Sequence, residues 1–376
     1  MQVTTIPSAI DDPVNQRILA VSEDRIQGFH PRPFDEIAHL SSIEPALVLE
    51  RIRAMLQAGT IRRVRQTLLA TNLASGALVA WQVPPQKLNA AFDWFFQQDP
   101  FTGHVVIRTT DAAIAGAAYR LWTTVKVPQG FSLARHCHVL AQQVGATDCI
   151  TMPARKLFAL GVGHMRRRAL HPGDMSPAPA QPIEIREIQL SDEEWAVLLA
   201  LKREFTTDEI VADPWTLRAR QAGVTPQEFL AVAARLNQRG IIGRFSTFLE
   251  HVKPLADGQS VTRFNALFHW AVPQGCQEQA GCEVGRFHIL THAYWREGGA
   301  AFNHVNIMAV AHGTDRDLLL AHKKAMDAHL AQMGIPVTYT NVFWGGRSEI
   351  KPSEIAPQEY IAWCRRMNLD PQAMRA

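Results

Sequence analysis

The sequence predicts an α+β protein made by tandem duplication of one module, a winged helix-turn-helix followed by a ferredoxin-like βαββαβ sheet. Motifs recur in the same order in the two halves of the chain. Ala80-Trp81-Gln-Val-Pro84 returns as His269-Trp270-Ala-Val-Pro273, and Gly103-His104-Val-Val-Ile-Arg108 returns as Thr291-His292-Ala-Tyr-Trp-Arg296. Matched order at similar separations indicates a duplicated domain rather than chance similarity.

The helix-turn-helix prediction rests on hydrophobic periodicity. Apolar residues recur at helical spacing over residues 35–59, with Ser41-Ser42 as the turn between two helices. Gly59 is placed to end the second helix, and a wing-like strand follows. In the second half, residues 208–212 and 226–238 predict the same plan with a longer connection.

The sheet prediction rests on alternating and helical patterns in the order strand, helix, strand, strand, helix, strand. The first half predicts these elements at 78–83, 86–97, 104–110, 119–127, 132–144 and 148–152. The second half predicts strands at 264–272, 287–296, 305–311 and 336–343, and a clear helix at 315–333. Its other helix is weak, because its place is taken by Gly275, Cys276, Gly281 and Cys282.

These patterns predict six consecutive segments. They are a helix-turn-helix at 1–72, a sheet domain at 73–165, a proline-rich linker at 166–188, a second helix-turn-helix at 189–255, a second sheet domain at 256–350 and a tail at 351–376.

Composition limits the class of protein. The chain has 376 residues, 47% of them hydrophobic and 19% charged, which is typical of a soluble globular protein. A formal charge of +3 does not indicate a nucleic-acid partner. No apolar run predicts a membrane span and no signal peptide is evident, so a cytoplasmic protein is expected. Five cysteines without zinc-type spacing are interpreted as reduced thiols, and no metal site is predicted from the protein alone.

Candidate site residues come from strand alternation, because every second side chain of a strand shares a face. One histidine and one arginine are presented together on a strand in each half. The residues predicted to share faces are His104 with Arg108; His292 with Tyr294 and Arg296; Lys126 with Trp122; and His312 with Met308.

The two halves differ at one equivalent position, which is Lys126 in the first and His312 in the second. Lysine supplies a fixed cation, whereas histidine exchanges protons near neutral pH. Two such sheet faces could close over a flat anionic ligand, with cations pairing to carboxylates and aromatic rings covering an apolar surface. The productive pocket is therefore predicted near His312.

Plainer interpretations stay open for each feature. A strand histidine or arginine is more often a rim residue than a catalytic one. The small-residue segments 109–118 and 297–304 could be flaps over a ligand or simple hairpin connections. The basic run Arg166 to Arg168 is interpreted as part of a solvated linker in preference to a binding patch.

Several further motifs lie along the chain. In the first half these are Gly28-Phe-His-Pro-Arg-Pro-Phe34-Asp-Glu-Ile-Ala38, Gly59-Thr-Ile-Arg-Arg63, Tyr119-Arg-Leu-Trp122 and Met152-Pro-Ala-Arg-Lys-Leu-Phe158-Ala-Leu-Gly161, together with the His104 strand. In the second half they are Thr291 to Arg296, Asn306 to Gly313 and Tyr339-Thr-Asn-Val-Phe343. Together these motifs resemble those of the siroheme decarboxylases, a branch of the Lrp/AsnC-like superfamily. The halves resemble the family's two subunit types, so the chain resembles a fused enzyme.

The resemblance implies decarboxylation of two acetate side chains of siroheme to didecarboxysiroheme, in the biosynthesis of haem or a haem-like cofactor. It implies His312, His104 and His292 as catalytic residues, and either strand histidine, His104 or His292, as a ligand of the tetrapyrrole iron. Substrate contacts are implied for Arg108, Arg296, Lys126, Trp122, Tyr294, Met308 and Arg347. It implies no cofactor beyond the iron tetrapyrrole substrate.

Two other functions remain as alternatives. A DNA-binding regulator of the Lrp/AsnC type would share the fold, but Glu44 and Pro45 stand where the second helix begins, rather than residues that read bases. A non-catalytic haem or tetrapyrrole sensor would bind the same ligand and return it unchanged. The expected partner is thus a small-molecule tetrapyrrole, with the two halves as an intramolecular pseudo-dimer, a further homodimer left open, and neither DNA nor membrane.

Overall fold

A computed structural model describes residues 6–69, 72–160, 170–185, 188–249 and 263–376. The basic run Arg166 to Arg168 lies outside them. The chain forms two compact units, and each draws on both halves of the sequence. Residues 6–69 and 189–249 form a helical unit, whereas residues 72–160, 170–185 and 264–376 form a sheet unit.

The helical unit contains two sets of helices around a small antiparallel sheet. The strand order is β1-β8-β2, so the wing-like strand of each half pairs with the other. The elements are α1 Pro13–Ser22, β1 Ile26–Gln27, α2 Pro33–Ser41, α3 Pro45–Gln57, β2 Ile61–Leu68, α6 Asp192–Lys202, α7 Trp215–Ala222, α8 Pro226–Gln238 and β8 Ile242–Leu249.

The start of the second helical set differs from the prediction. Residues 208–212 were expected to form a helix, but only the single 3₁₀ turn Thr207–Glu209 forms there. The chain then reaches Pro214, which cannot donate a backbone hydrogen bond to a preceding turn. The helix that precedes α8 is instead α7, and Gly223 ends it in the left-handed conformation at φ 73°.

The sheet unit contains the same order of strands and helices in both halves. The first half supplies β3 Ala74–Gln82, α4 Leu88–Gln97, β4 Thr102–Thr109, β5 Leu121–Pro128, α5 Leu133–Val144 and β6 Asp148–Leu160. The second half supplies β9 Phe264–Ala271, α9 Gln277–Gly285, β10 Leu290–Arg296, β11 Ile307–Gly313, α10 Arg316–Gln332 and β12 Tyr339–Ile350. A short strand, β7 Ile183–Glu184, extends β6, and α11 Pro357–Arg366 follows β12.

The strands of both halves form one continuous sheet instead of two separate ones. Its order is β10-β11-β9-β12-β4-β5-β3-β6-β7, and β10 also pairs with β6, so the sheet closes on itself. The two halves therefore meet at β4–β12 and at β6–β10. Pairing removes the open edges that two separate sheets would expose. The predicted pair of facing sheets is corrected to a single closed sheet with an inner and an outer face.

Helices cover the outer face over two apolar clusters. In the first half Trp81 of β3 is fully buried beneath α4 and α5, together with Phe92 and Phe95 of α4 itself. In the second half Phe268 and Trp270 are buried beneath α9 and α10. Asp315 caps α10 by accepting a hydrogen bond from the Leu318 backbone N–H at 2.7 Å.

The weak helix of the second half does form, as α9, and its glycines have a packing role. A Cβ placed on Gly281 would lie 2.1 Å from the Phe158 ring, and one on Gly285 would lie 2.7 Å from the same residue. The two glycines are four residues apart and so share one face of the helix. They let α9 approach β6 more closely than any larger residue would allow.

The linker and the tail both pack against the sheet unit. Ser176 and Ala180 of the linker donate backbone hydrogen bonds to Arg286 and Cys282, so this segment lies along α9. In the tail, Tyr360 and Trp363 are buried beside Phe101. The tail thus completes the core beneath α5. Within the described residues, no helix has the length and apolar character needed to span a bilayer.

We predict that Gly281→Ala will lower stability by about 1–3 kcal/mol, because the added methyl overpacks the contact with Phe158. Thermal and denaturant unfolding would measure this. In a Phe158→Ala background the ring is gone, so the same substitution should cost far less. An equal cost in both backgrounds would show that helix α9 itself, and not this contact, responds to the change.

Candidate active site

The inner face of the closed sheet is apolar at its centre. Phe302 enters from the loop between β10 and β11 and lies 5.3 Å from Trp122 and 5.9 Å from Phe343, measured between ring centroids. Side chains from both halves complete this inner cluster: Ala80, Val106, Tyr119, Met152, Leu267, Ala271, Val305 and Met308. The loop segments predicted as candidate flaps meet here, because a Cβ on Gly116 would lie 2.5 Å from the Phe302 ring.

Arg108 lies on this inner face and is 4% exposed. Its Nη1 donates a long hydrogen bond of 3.4 Å to the Phe343 carbonyl, and its Nε has no hydrogen-bond partner. No carboxylate among the described residues forms an ion pair with it. Burial lowers the pKa of Arg108 to about 9, so it is still a cation at neutral pH.

Arg296 is the equivalent arginine of the second half and is also buried. It donates a hydrogen bond to the Met152 carbonyl, and its guanidinium carbon lies 4.4 Å from the centre of the Tyr294 ring. Burial lowers the pKa of Arg296. His292 stacks on the other side, its ring 6.0 Å from Tyr294 and nearly parallel to it. The predicted grouping on this strand is therefore present as a stack of three side chains.

His312 is aligned with Arg108 across the sheet. Successive backbone pairs join Arg108 to Gly345, Gly345 to Asn265 and Asn265 to His312. Since neighbouring strands lie about 4.8 Å apart, the backbones of Arg108 and His312 are about 14 Å apart along the curve of the sheet. Asn265 lies close to Gly345, because a Cβ placed on Gly345 would lie 3.1 Å from the Asn265 Cβ.

Lys126 is aligned with Arg296 in the same way. Lys126 pairs with Gly76, and a Cβ on that glycine would lie 3.7 Å from the lysine Cγ. Ala77 pairs with Pro153 on β6, and the next position, Ala154, pairs with Arg296. Each arginine therefore shares a row of residues with the divergent position of the opposite half, an arrangement that strand alternation within one half does not predict.

His269 is a site candidate that the sequence reasoning did not select. It is fully buried on the inner face of β9, and neither ring nitrogen has a hydrogen-bond partner among the described residues. Burial, together with the charges of Arg108 and Lys323, lowers the pKa of His269 to about 3. The available signal was the repeat itself, in which His269 stands where the first half has Ala80.

Other predicted residues are distributed between the two faces. His104 faces inward, and its Nε2 lies 2.8 Å from Ser348 Oγ. Trp122 and Met308 belong to the inner cluster and are almost fully buried. Arg347 is outside this set, since its guanidinium pairs with Asp93 and lies over the Phe92 ring on the helix-covered face.

An irregularity in β12 explains the position of Arg347. Gly345 pairs with Arg108 and Ser348 pairs with Val106, so β12 has one more residue than β4 over this stretch. An extra residue reverses the alternation of side chains beyond it. Ser348 consequently points inward and Arg347 outward, which corrects the prediction that Arg347 lines the same site.

Metal binding by the protein alone has no support in the part of the chain that is described, where no cluster of three or more potential ligand residues occurs. The inner face instead offers two buried guanidinium groups, three inward-facing histidines along the β4, β10 and β11 strands, and His269. Such a set can bind carboxylates and transfer protons.

A family model described as an AsnC-like ligand binding domain matches residues 73–159. By fold, the chain is similar to the crystal structure of the siroheme decarboxylase NirDL, with a TM-score of 0.64, 18% identity, and coverage of 94% of this chain and 98% of that one. A second crystal structure of NirDL, in complex with an iron-uroporphyrin III analogue, matches at a TM-score of 0.64 and 19% identity, with the same coverage.

Similarity in sequence extends over most of the chain. A siroheme decarboxylase of Hydrogenobacter thermophilus is 25% identical over 292 residues, which cover 76% of this chain and 79% of that protein. A siroheme decarboxylase NirH subunit of Pseudomonas aeruginosa is 30% identical over 104 residues, covering 28% of this chain and 57% of the subunit. The chain is a homologue of the siroheme decarboxylases and contains an AsnC-like ligand binding domain.

Proposed function

We propose that this protein is a siroheme decarboxylase, a lyase that converts two acetate side chains of siroheme to methyl groups and releases carbon dioxide. A relative that matches most of the chain carries this activity in its name. One feature of the molecule itself carries the proposal most directly. Arg108 and Arg296 are both buried on the inner face, without a carboxylate partner among the described residues.

Two buried cations without counterions are costly for a protein that only needs to fold. The effective penalty for burying one ion is several kcal/mol, and a compensating opposite charge is the usual remedy. A ligand with several carboxylates supplies that charge from outside the chain. Guanidinium groups suit this role because they bind carboxylates with two parallel hydrogen bonds.

The reaction requires positioned charge and a proton. Loss of carbon dioxide breaks the bond between the methylene and carboxyl carbons, and the electron pair stays on the methylene carbon next to the pyrrole. Delivery of one proton to that carbon then completes a methyl group. The protein must therefore anchor the other carboxylates, exclude water and hold a proton donor near the methylene carbon.

In this proposal, different inner-face residues anchor the carboxylates, contact the macrocycle and deliver the proton. Arg108, Arg296 and Lys126 anchor carboxylates, while Trp122, Tyr294 and Met308 provide apolar contact for the macrocycle. His312 delivers the proton, and it shares a row with Arg108. His104 and His292 assist from neighbouring strands, and one of them ligates the iron of the substrate. No cofactor beyond this iron tetrapyrrole is proposed.

The chain order also supports a duplicated origin for this site. Strands and helices follow the order β-α-β-β-α-β in both halves of the sheet unit, and each half of the helical unit adds helices and a strand of the small sheet. We infer a tandem repeat of a winged helix-turn-helix and a ferredoxin-like sheet, with the halves acting as an intramolecular pseudo-dimer.

A DNA-binding role receives less support from the helical unit. On α3, Arg51 Nη1 lies 3.2 Å from Asp12 Oδ1, and Arg53 Nε donates to the Ile210 carbonyl at 2.9 Å. On the second set of helices, Arg239 pairs with Glu194 at 2.6 Å. These cations are engaged within the protein, whereas DNA binding needs them directed at phosphates and base edges.

Anaerobic incubation with ferrous siroheme, followed by mass spectrometry, tests the proposal. The expected product is didecarboxysiroheme, formed by loss of two carbon dioxide molecules per substrate. Siroheme that binds, as its visible spectrum would show, but is recovered intact would contradict the enzymatic proposal and identify a tetrapyrrole-binding protein instead.

Arg108 on the inner face and Arg347 on the outer face provide a matched comparison. Arg108→Met should weaken siroheme binding at least tenfold, because a charged hydrogen bond of about 1.5–3 kcal/mol is lost. Arg347→Met is the control, since that arginine lies on the outer face, and it should leave the affinity unchanged. Absorbance titration measures both. Similar losses for the two variants would argue against an inner-face site.

His312→Ala should lower kcat by about 10²–10⁴-fold, the usual contribution of general acid catalysis. Lys126→Ala, at the equivalent position of the other half, should mainly raise KM because it removes an anchoring cation. Steady-state kinetics with siroheme distinguishes the two effects. Equal reductions in kcat would contradict the assignment of proton delivery to His312.

A further inference from the structure

Beside the apolar residues of the inner cluster, the inner face of β9 and β12 carries polar side chains, here called the polar wall. Asn265 and His269 face inward there, and Asn341 pairs with His269. Asn265 Oδ1 and both nitrogens of His269 are buried without hydrogen-bond partners among the described residues.

The equivalent wall of the first half lacks these groups. By the repeat alignment, Gly76 corresponds to Asn265 and Ala80 to His269. Ala80 pairs with Ile150, just as His269 pairs with Asn341. The fold therefore accepts small and apolar residues at these positions, so the polar residues of the second half are not needed to form the sheet.

Arg108 extends toward this polar wall. Its backbone pairs with Gly345, but its guanidinium donates to the Phe343 carbonyl, two residues further along β12 in the direction of Asn341. The Phe343 ring in turn lies 5.1 Å from the His269 ring. The guanidinium and the imidazole thus both lie next to Phe343, and the charge of Arg108 acts on His269.

Each buried polar group without a hydrogen-bond partner destabilises the free protein. A buried cation beside a buried neutral imidazole would be satisfied by one group that accepts hydrogen bonds from both. A carboxylate does this, because it has two acceptor oxygens and a negative charge. The apolar residues Ala80 and Trp122 of the first half offer a carboxylate no comparable hydrogen-bond partner.

We propose that one carboxylate of the substrate binds between the Arg108 guanidinium and the His269 imidazole, on the polar wall formed by β9 and β12. This inference rests on the proposed function and adds to it a substrate-binding residue, His269. The reacting tetrapyrrole then binds on the side of the inner face that carries Asn265 and His312. The equivalent positions in the first half only complete the apolar core.

The test uses two variants of the full-length protein at position 269. His269→Phe keeps the ring but removes both nitrogens, and it should weaken siroheme binding at least tenfold. The same change should leave the ligand-free protein as stable as the wild type or more stable, because an unsatisfied polar group is removed. His269→Gln keeps a hydrogen-bond donor and should retain affinity within a few-fold of the wild type.

His322→Phe is the matched control, since His322 is a buried histidine on α10, which packs on the outer face. It should leave siroheme affinity unchanged. Absorbance titration and thermal unfolding give the two readouts for all variants. Unchanged affinity in His269→Phe, or an equal loss in His269→Phe and His269→Gln, would overturn the proposal, as would a wild-type protein that does not bind siroheme.

Binding of the product separates this inference from the proposed reaction. Didecarboxysiroheme lacks the reacting carboxylates. If His269 binds a reacting acetate, His269→Phe should weaken the binding of siroheme alone. If His269 binds another carboxylate side chain of the substrate, the variant should weaken the binding of both siroheme and didecarboxysiroheme. Both results support the carboxylate contact. A wild-type protein that binds siroheme without turnover would refute the proposed function, while the effect of His269→Phe on affinity would still decide the present inference.

Discussion

Closure of the sheet through β4–β12 and β6–β10 is the constraint on which the rest of this protein depends. Each pairing joins the first half to the second, so neither half completes the inner face alone. Backbone hydrogen bonding at these two seams satisfies strand edges that would otherwise be open. It also fixes the register that aligns Arg108 with His312 and Arg296 with Lys126. The candidate site is thus a property of the joined halves.

The closed sheet must be a packed core and a binding surface at the same time. Around Phe302 and Trp122 the inner face is as apolar as the interior of any small domain, which stabilises the closure. Some polar groups that remain, the Arg108 Nε and both His269 ring nitrogens, have no hydrogen-bond partner among the described residues and therefore oppose stability. A trade of stability for function of this kind is common where a site must be prepared before its ligand arrives.

Much of this arrangement could be predicted from residue patterns, and some of it could not. Alternation placed His104 and Arg108 on one face because strand side chains repeat every two residues. The resemblance, and not alternation, implied Arg347 as a substrate contact, and this residue faces outward because an extra residue in β12 reverses the alternation. A helix expected at 208–212 was displaced to α7, since a single capped turn ends before Pro214. His269 was overlooked because its burial depends on strands distant in the chain.

The sequence by itself predicted most of the order of strands and helices and showed the difference between Lys126 and His312, because these depend on local periodicity and on comparing the chain with itself. Tertiary structure decided which strands form the seams, and so which arginine shares a row with which divergent residue. It also decided that Arg108 and His269 are buried together. Register, closure and burial depend on pairing between residues far apart in the chain, and local patterns do not specify which distant strands pair.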